Sequence, residues 1–164
     1  MLICKELEQK IVADLKGRIG EANGVKVRGS WEDAGRGLIK WVNEDTTAPA
    51  FVSVAVGTPQ RETRSANQLS FSANITLFVR IELDVAASIM CGTAEKIESA
   101  VTEWQSFTYQ QFFTAFDIEG VLSVDDITVG GGGSPTLNNG IASVTWPVVL
   151  TGSLVEISEQ TERS

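Results

Sequence analysis

The sequence predicts an α+β protein with a mainly antiparallel sheet, long strands, and two main helices packed on one face of the sheet. Two stretches, residues 69–83 and 142–154, alternate apolar and polar residues, which is the period of a strand with one buried face. Two others, residues 4–21 and 87–106, repeat apolar residues every three or four positions, as amphipathic helices do. We therefore expect the strands to form one layer and the helices the other.

The first helix is predicted from one apolar face, and Asn23-Gly24 is its expected stop. The residues of that face are Cys4, Leu7, Ile11, Leu15 and Ile19. A short strand is expected at Val25–Val27. A capping-box pattern at Ser30–Asp33 then introduces a weaker helical pattern that runs to Val42.

An extended hairpin is predicted next. Pro49 introduces a strand over residues 50–56, a polar loop follows over 57–68, and the long strand begins at Leu69. At ~3.3 Å per residue the run to Leu83 would reach roughly 50 Å, whereas a compact chain of this size is about 40 Å across. We therefore expect this strand to bend sharply or to protrude.

After the second helix, residues 116–129 are predicted as strand-rich, with interruptions at Gly120 and at a turn formed by Asp125-Asp126. The glycine-rich stretch 130–140 is expected to be a loop before the last long strand. Pro147 lies on the polar side of that strand, which indicates an edge or a bulge.

Composition bounds the class of protein. The chain has 164 residues, of which 43% are hydrophobic, and a mean hydropathy of +0.05, so it is large and apolar enough for one core. We expect a single domain over residues 1–155 and a polar tail over 156–164. The charged N-terminal segment does not resemble a signal peptide, and no apolar run approaches the ~20 residues that span a bilayer. The expectation is synthesis in the cytoplasm and no membrane partner.

The net charge of −8 is unevenly distributed along the chain. Residues 1–64 hold ten Lys and Arg against nine Asp and Glu, a net of +1, whereas residues 65–164 hold three against twelve, a net of −9. The acidic second half argues against clamping nucleic acid by counterion release. It does not argue against DNA passing nearby, because an acidic wall repels phosphate.

No catalytic motif is recognisable in the sequence. There is no histidine, and no lysine follows the GGGG run at 130–133 as a phosphate-binding loop requires. The acidic pairs lack a partner nucleophile; they are Glu95/Glu98, Glu82/Asp84 and Asp125/Asp126. Cys4 and Cys91 have no metal-site spacing and are expected to be buried free thiols. We therefore expect no enzyme activity, no cofactor and no metal.

The second face of the long strand is small and polar except for Phe78. That ring is either a lone aromatic, exposed or lying under a loop, or part of a face that packs against another subunit. The excess length of the strand favours the second interpretation.

The order and texture of these segments resemble the tail terminator proteins of long-tailed bacteriophages, in particular the Mu-like form. The matching segments are LEQKIVADLKGRI, PAFVSVAVG, QRETRSANQ running into LSFSANITLFVRIEL, the second helix, and NNGIASVTWPVVLTGSL. They cover about residues 4–155. The GGGG loop and the tail have no counterpart in this resemblance.

The resemblance implies a non-enzymatic ring, typically a hexamer, that lies on the last ring of the tail tube, stops tail polymerisation and joins the tail to the head. Its partners would be further copies of itself, the tail tube protein, and the tail sheath and neck or head-completion proteins. DNA would pass through the lumen without specific binding, and the ring would lie at the head-proximal end of the tail in the virion. The residues expected at subunit or partner contacts are Arg61, Glu62, Arg64, Phe78, Arg80, Glu82 and Asp84.

Two alternatives stay open. A neck or head-completion protein uses a similar ring at the next level of the particle. A small ligand-binding domain or enzyme belongs to a different class, and it would show a closed apolar pocket with convergent polar groups.

Overall fold

A computed structural model gives the fold. It describes residues 2–20, 24–29, 48–57, 60–61, 68–82, 84, 86–105, 122–130 and 135–154. These residues form two helices and seven strands: α1 (Leu2–Ile19), β1 (Lys26–Gly29), β2 (Ala50–Val56), β3 (Gln60–Arg61), β4 (Gln68–Arg80), α2 (Ala86–Gln105), β5 (Leu122–Val129), β6 (Thr136–Asn138) and β7 (Ile141–Leu154).

The strands form one mostly antiparallel sheet in the order β1-β2-β4-β7-β5. Two short strands extend it, since β3 pairs with β4 and β6 pairs with β7. Only the β1–β2 pair is parallel among the described strands. The predicted α+β class is confirmed.

The pairing of β4 with β7 is the longest in the sheet. It runs without a break from Gln68 opposite Ser153 to Arg80 opposite Ile141. On its other side β4 pairs with β2 and β3. The long strand therefore has partners of its own chain on both sides, and it ends at Arg80 rather than at the predicted Leu83.

The two helices pack on one face of this sheet. α1 contacts β1 and β2, α2 contacts β4 and β5, and the helices contact each other. The odd positions of β4 from Phe71 to Val79 and the even positions of β7 from Ala142 to Leu150 are buried on this side, as the alternation predicts. The predicted apolar faces of both helices supply the opposing layer, including Leu7 and Ile11 from α1 and Ile97 and Trp104 from α2.

The first helix ends earlier than the sequence suggested. Gly20 has a φ of +69°, and its N–H donates to the Lys16 carbonyl at 2.9 Å, which closes the helix after Ile19. Lys96 of α2 also donates to the Ile19 carbonyl, at 3.3 Å. The prediction of Asn23-Gly24 as the stop was wrong, because a glycine three residues earlier already adopts the left-handed conformation that ends a helix.

A polar network joins the two helices. The Asp14 carboxylate accepts from Trp104 Nε1 at 2.8 Å and from Arg18 Nε at 2.9 Å. Arg18 also pairs with Glu103 of α2. Burial disfavours the charged guanidinium, but hydrogen bonds and charge from Asp14 and Glu103 outweigh it and raise the pKa of Arg18.

Three predicted loop or turn features prove to be strand. β3 lies within the predicted loop 57–68, and β6 lies within the predicted loop 130–140. Asn139 and Gly140, with φ of 50° and 78°, form the two-residue turn between β6 and β7. Asp125 is the extra residue of a bulge in β5, between the pairs made by Val124 and Asp126, and is not part of a turn.

Pro147 lies in an interior strand, and its missing N–H explains where the β5–β7 pairing stops. Gly130 N–H donates to the Pro147 carbonyl at 2.8 Å, in register with the pair Val129–Val148. Proline cannot return a second hydrogen bond, so the ladder ends there. A Cβ at Gly130 would lie 2.7 Å from Pro147 Cγ, so the two chains approach closely at this point.

Other expectations have mixed outcomes. Cys91 is exposed, because it lies on the outer side of α2, so the prediction of a buried thiol was wrong for this residue. The predicted helical pattern over 30–42, residues 131–133 of the GGGG run and the tail over 156–164 lie outside the described residues. No helix in the described part of the chain is long and apolar enough to cross a membrane.

We expect Leu77→Ala to lower the free energy of unfolding by about 2–5 kcal/mol, because Leu77 is fully buried opposite Val144. Ser72→Ala, on the exposed side of the same strand, should change it by less than about 0.5 kcal/mol. Chemical denaturation of the two variants measures the difference. Equal effects would contradict the assignment of the buried face.

Candidate self-association surface

The sheet face opposite the helices is uncharged over the middle of its central strands. We call this surface the open face. It is formed by Ser53, Ala55, Ser72, Asn74, Thr76, Thr145, Pro147, Val149 and Thr151. Ser72, Asn74, Thr145, Pro147 and Val149 are exposed. Depletion of charge is typical of the centre of a protein–protein interface.

The open face has a regular surface across β4 and β7. Thr76 and Thr145 lie directly opposite each other, and their hydroxyl oxygens are 3.0 Å apart, within hydrogen-bond distance. From Thr145 to Thr151 on β7 this surface is about 20 Å long at ~3.3 Å per residue.

Phe78 lies at one end of the open face and packs within its own chain. Its ring centre is 6.4 Å from that of Phe51, its partner on β2, with an angle of 34° between the ring planes. Phe51 is buried, Phe78 is half-buried, and Ile141 packs beside them. Phe78 is therefore not a lone exposed aromatic, and part of its ring stabilises the subunit itself.

Arg80 is also engaged within the chain. Its side-chain Nε donates to the Ala48 carbonyl at 3.4 Å, and its backbone N–H donates to the Pro49 carbonyl at 3.2 Å. These contacts hold the segment that leads into β2. Glu82 and Asp84 are exposed, but they follow the end of β4 and are not on the face of the strand as predicted.

The remaining predicted contact residues belong to the hairpin connection. Arg61 lies in β3, where its backbone pairs with Leu69, so it is not in a loop. Glu62 and Arg64 lie outside the described residues. The structure thus brings Phe78 and Arg80 together at one end of the sheet and places Arg61 near the other end of β4.

Two apolar side chains are exposed where the sequence did not predict it. Ile81 was expected on the buried face of the long strand, and this was wrong because β4 ends at Arg80. Ile81 is 45% exposed and Leu137 is 67% exposed. The Ile81 N–H donates to the Gly140 carbonyl at 3.0 Å, which ties the end of β4 to the β6–β7 turn. The exposure of Leu137 could not be predicted, because its three-residue strand lies in a glycine-rich stretch that the sequence indicates as a loop.

The two edge strands of the sheet contain residues of opposite charge. From the sequence, this was apparent only as a difference in net charge between residues 1–64 and residues 65–164. β1 contributes Lys26 and Arg28, which are exposed and lie in register with Phe51 and Ser53 on the open-face side. β5 contributes Asp125 and Asp126 and no basic residue. The strand order places these two strands at opposite edges.

Glu8 is a fully buried acid on α1, a position that the sequence pattern assigned to the charged side. Its carboxylate accepts from the Val56 N–H of β2 at 3.3 Å. It also lies against Gly29, where any Cβ would overlap it. The glycine at the end of β1 therefore provides the space for this carboxylate.

We expect Phe78→Ser to lower the free energy of unfolding by about 1–2 kcal/mol, because it removes a half-buried ring from Phe51. A double-mutant cycle with Phe51→Leu and Phe78→Leu should give a coupling of about 0.5–1.5 kcal/mol. Unchanged thermal stability in Phe78→Ser would contradict the packing within the chain.

We expect Gly29→Ala to destabilise the protein by about 1–3 kcal/mol, because the new methyl group displaces the Glu8 carboxylate. In a Glu8→Ala background the same substitution should cost at least about 1 kcal/mol less, since the space is then vacant. Denaturation curves of the four proteins measure this coupling. Equal costs in both backgrounds would show that Glu8 is not what excludes a side chain at residue 29.

Comparison with known proteins finds no family model that matches the sequence and no curated relative. Among solved structures, one matching chain is 18% identical and aligns over 93% of this chain and 93% of its own length. Its TM-score is 0.43, which is too low to carry an argument about fold or function.

Proposed function

We propose that this chain is a structural virion protein, a tail terminator that forms a ring on the end of a phage tail tube. The resemblance described above, over about residues 4–155, is one support. The observation that carries the proposal is the open face, an uncharged and largely exposed surface over the middle of the two longest strands. Because a single copy leaves this surface in water, the surface is suited to contact with further protein.

In this role the protein acts by contact and not by chemistry. A ring that lies on the last tube ring would stop further tube protein from adding and would present its other side to the neck of the head. Its partners would be copies of itself, the tube protein, and the sheath and neck proteins. The acidic balance of residues 65–164 suits a lumen through which DNA slides without being bound.

Electron microscopy of the purified protein, alone and mixed with tail tubes, tests this proposal. We expect rings with an axial hole that cap the tube ends, and tubes of shorter, more uniform length when the protein is present during polymerisation. Rings that bind heads and ignore tube ends would indicate a neck protein instead. A stable monomer that binds neither would contradict the proposal.

We expect Arg61→Glu with Arg64→Glu to weaken ring formation at least about tenfold in concentration, because unlike charges of neighbouring copies no longer meet. Thermal stability should stay nearly unchanged. Lys5→Glu with Lys10→Glu on α1 makes the same change in net charge and is the matched control. Light scattering against concentration measures assembly, and equal effects of the two pairs would contradict a specific role for the hairpin connection.

A further inference from the structure

We infer that neighbouring copies of this chain join through an exposed leucine. Leu137 of β6 enters a cavity that lies beside β1 of the next copy, so the partner is a second copy of this chain. The inference deepens the proposed function and rests on it for the closed ring on a tail tube. The docking of one copy on another is tested on the isolated protein.

Leu137 projects from one corner of the sheet. It is 67% exposed, and it pairs with Ala142 of β7, which is buried under the helices. Because paired residues of antiparallel strands point to the same face, Leu137 lies on the helix side of the sheet. Ile81, which is 45% exposed, lies near it, since its N–H donates to the carbonyl of Gly140 in the β6–β7 turn. This corner therefore carries the two most exposed of the large apolar side chains in the described part of the chain.

A cavity of about 270 Å³ lies beside β1. The described residues that line it are Lys16 of α1 and the stretch from Gly24 to Arg28, which includes the apolar residues Val25 and Val27. A cavity of about 150 Å³ can hold a benzene molecule, so this one has room for the side chain of a leucine. Lys26 already has an interaction within its own chain. The docking leaves that interaction in place, because it uses open space and not the backbone edge of β1.

The sheet register places Leu137 and the cavity in line, at opposite edges of the sheet. Successive pairs connect β6 to β7, β7 to β4 and β4 to β2, and the parallel pairing of β2 with β1 continues the row to the residue before Lys26. A second copy placed beside the first, with its helices on the same side, therefore brings its Leu137 to the end of the row where the cavity lies. From edge to edge the row is Leu137, Ala142, Val79, Ala50 and Val25.

The charges around the two surfaces are also unlike. Lys16 and Arg28 are exposed at the cavity, and no acid is among the described residues that line it. Glu82 and Asp84 are exposed just after β4, beside the corner that carries Leu137. Contact between unlike surfaces is favoured, whereas two cavities or two acidic corners repel each other. Because each copy uses one surface at each edge, the contact propagates head to tail, and it closes into a ring when the rotation between copies is right.

Charge changes at both surfaces test the docking. Sedimentation over a concentration series measures the association of wild type, Leu137→Lys, Lys16→Glu and the double variant, with thermal unfolding as the folding control. Leu137→Lys should need at least about tenfold more protein for half-association, and Lys16→Glu at least about threefold more. The double variant should associate at least about fivefold more tightly than Leu137→Lys, because the two introduced charges are unlike. The same Lys16→Glu change thus weakens association in one background and strengthens it in the other.

Matched changes at other exposed positions are the controls. Thr102→Lys on α2 and Lys5→Glu on α1 introduce the same charges away from both surfaces. Each should leave the concentration for half-association within about twofold of the wild-type value.

Several outcomes would overturn the inference: wild type that stays monomeric up to about 1 mM, Leu137→Lys that associates like wild type, or a double variant that is not rescued. Association that depends on Lys16 and not on Leu137 would show that the cavity takes another group, and it would also overturn the inference. Rings on tail tubes that survive Leu137→Lys would overturn the docking and leave the proposed function standing. Association with rescue, but without any effect on tail tubes, would contradict the proposed function and leave the docking standing.

Discussion

The unbroken pairing of β4 with β7 is the constraint on which the rest of the structure depends. Thirteen consecutive residue pairs fix one register, and a slip by one residue would move every apolar side chain of a strand to the other face. The pairs Ile75–Trp146 and Leu77–Val144 therefore lie under the helices, while Thr76–Thr145 lies on the open face. A single ladder thus creates both the core of the subunit and the surface by which we propose it assembles.

Polar contacts fix how the helices pack on this ladder. Asp14 satisfies the indole of Trp104 and the guanidinium of Arg18 at once, so the two helices share one anchor. Glu8 accepts from the Val56 N–H of β2 beyond the end of β1, and its carboxylate lies against Gly29. By contrast, the buried Trp146 Nε1 has no acceptor among the described residues. An unsatisfied donor of this kind costs free energy, so Trp146 stabilises the core through its volume and not through its polar atom.

The sequence allowed the long elements to be predicted because each repeats one signal many times. The alternation in β4 and β7 and the apolar face of α2 fixed the class and the buried side. The short strands, the bulge and single side-chain contacts could not be predicted, because they depend on residues that are distant in sequence. β3 and β6 exist only because β4 and β7 extend past their other partners, and the Asp125 bulge is visible only in the register with β7. Similarly, the packing of Phe78 within its own chain could not be predicted because its partner, Phe51, lies on another strand.

The sheet order converts a difference along the chain into a difference across the molecule. The basic residues of the first half include those of β1, and the acidic residues of the second half include those of β5, and the fold moves these strands to opposite edges. If the two strands were adjacent, their unlike charges would pair with each other within one copy. Separated by β2, β4 and β7, the two edge strands differ in the charge of their residues. The same separation leaves the middle of the sheet without charge, and this is where the open face, the surface that we propose for assembly, lies.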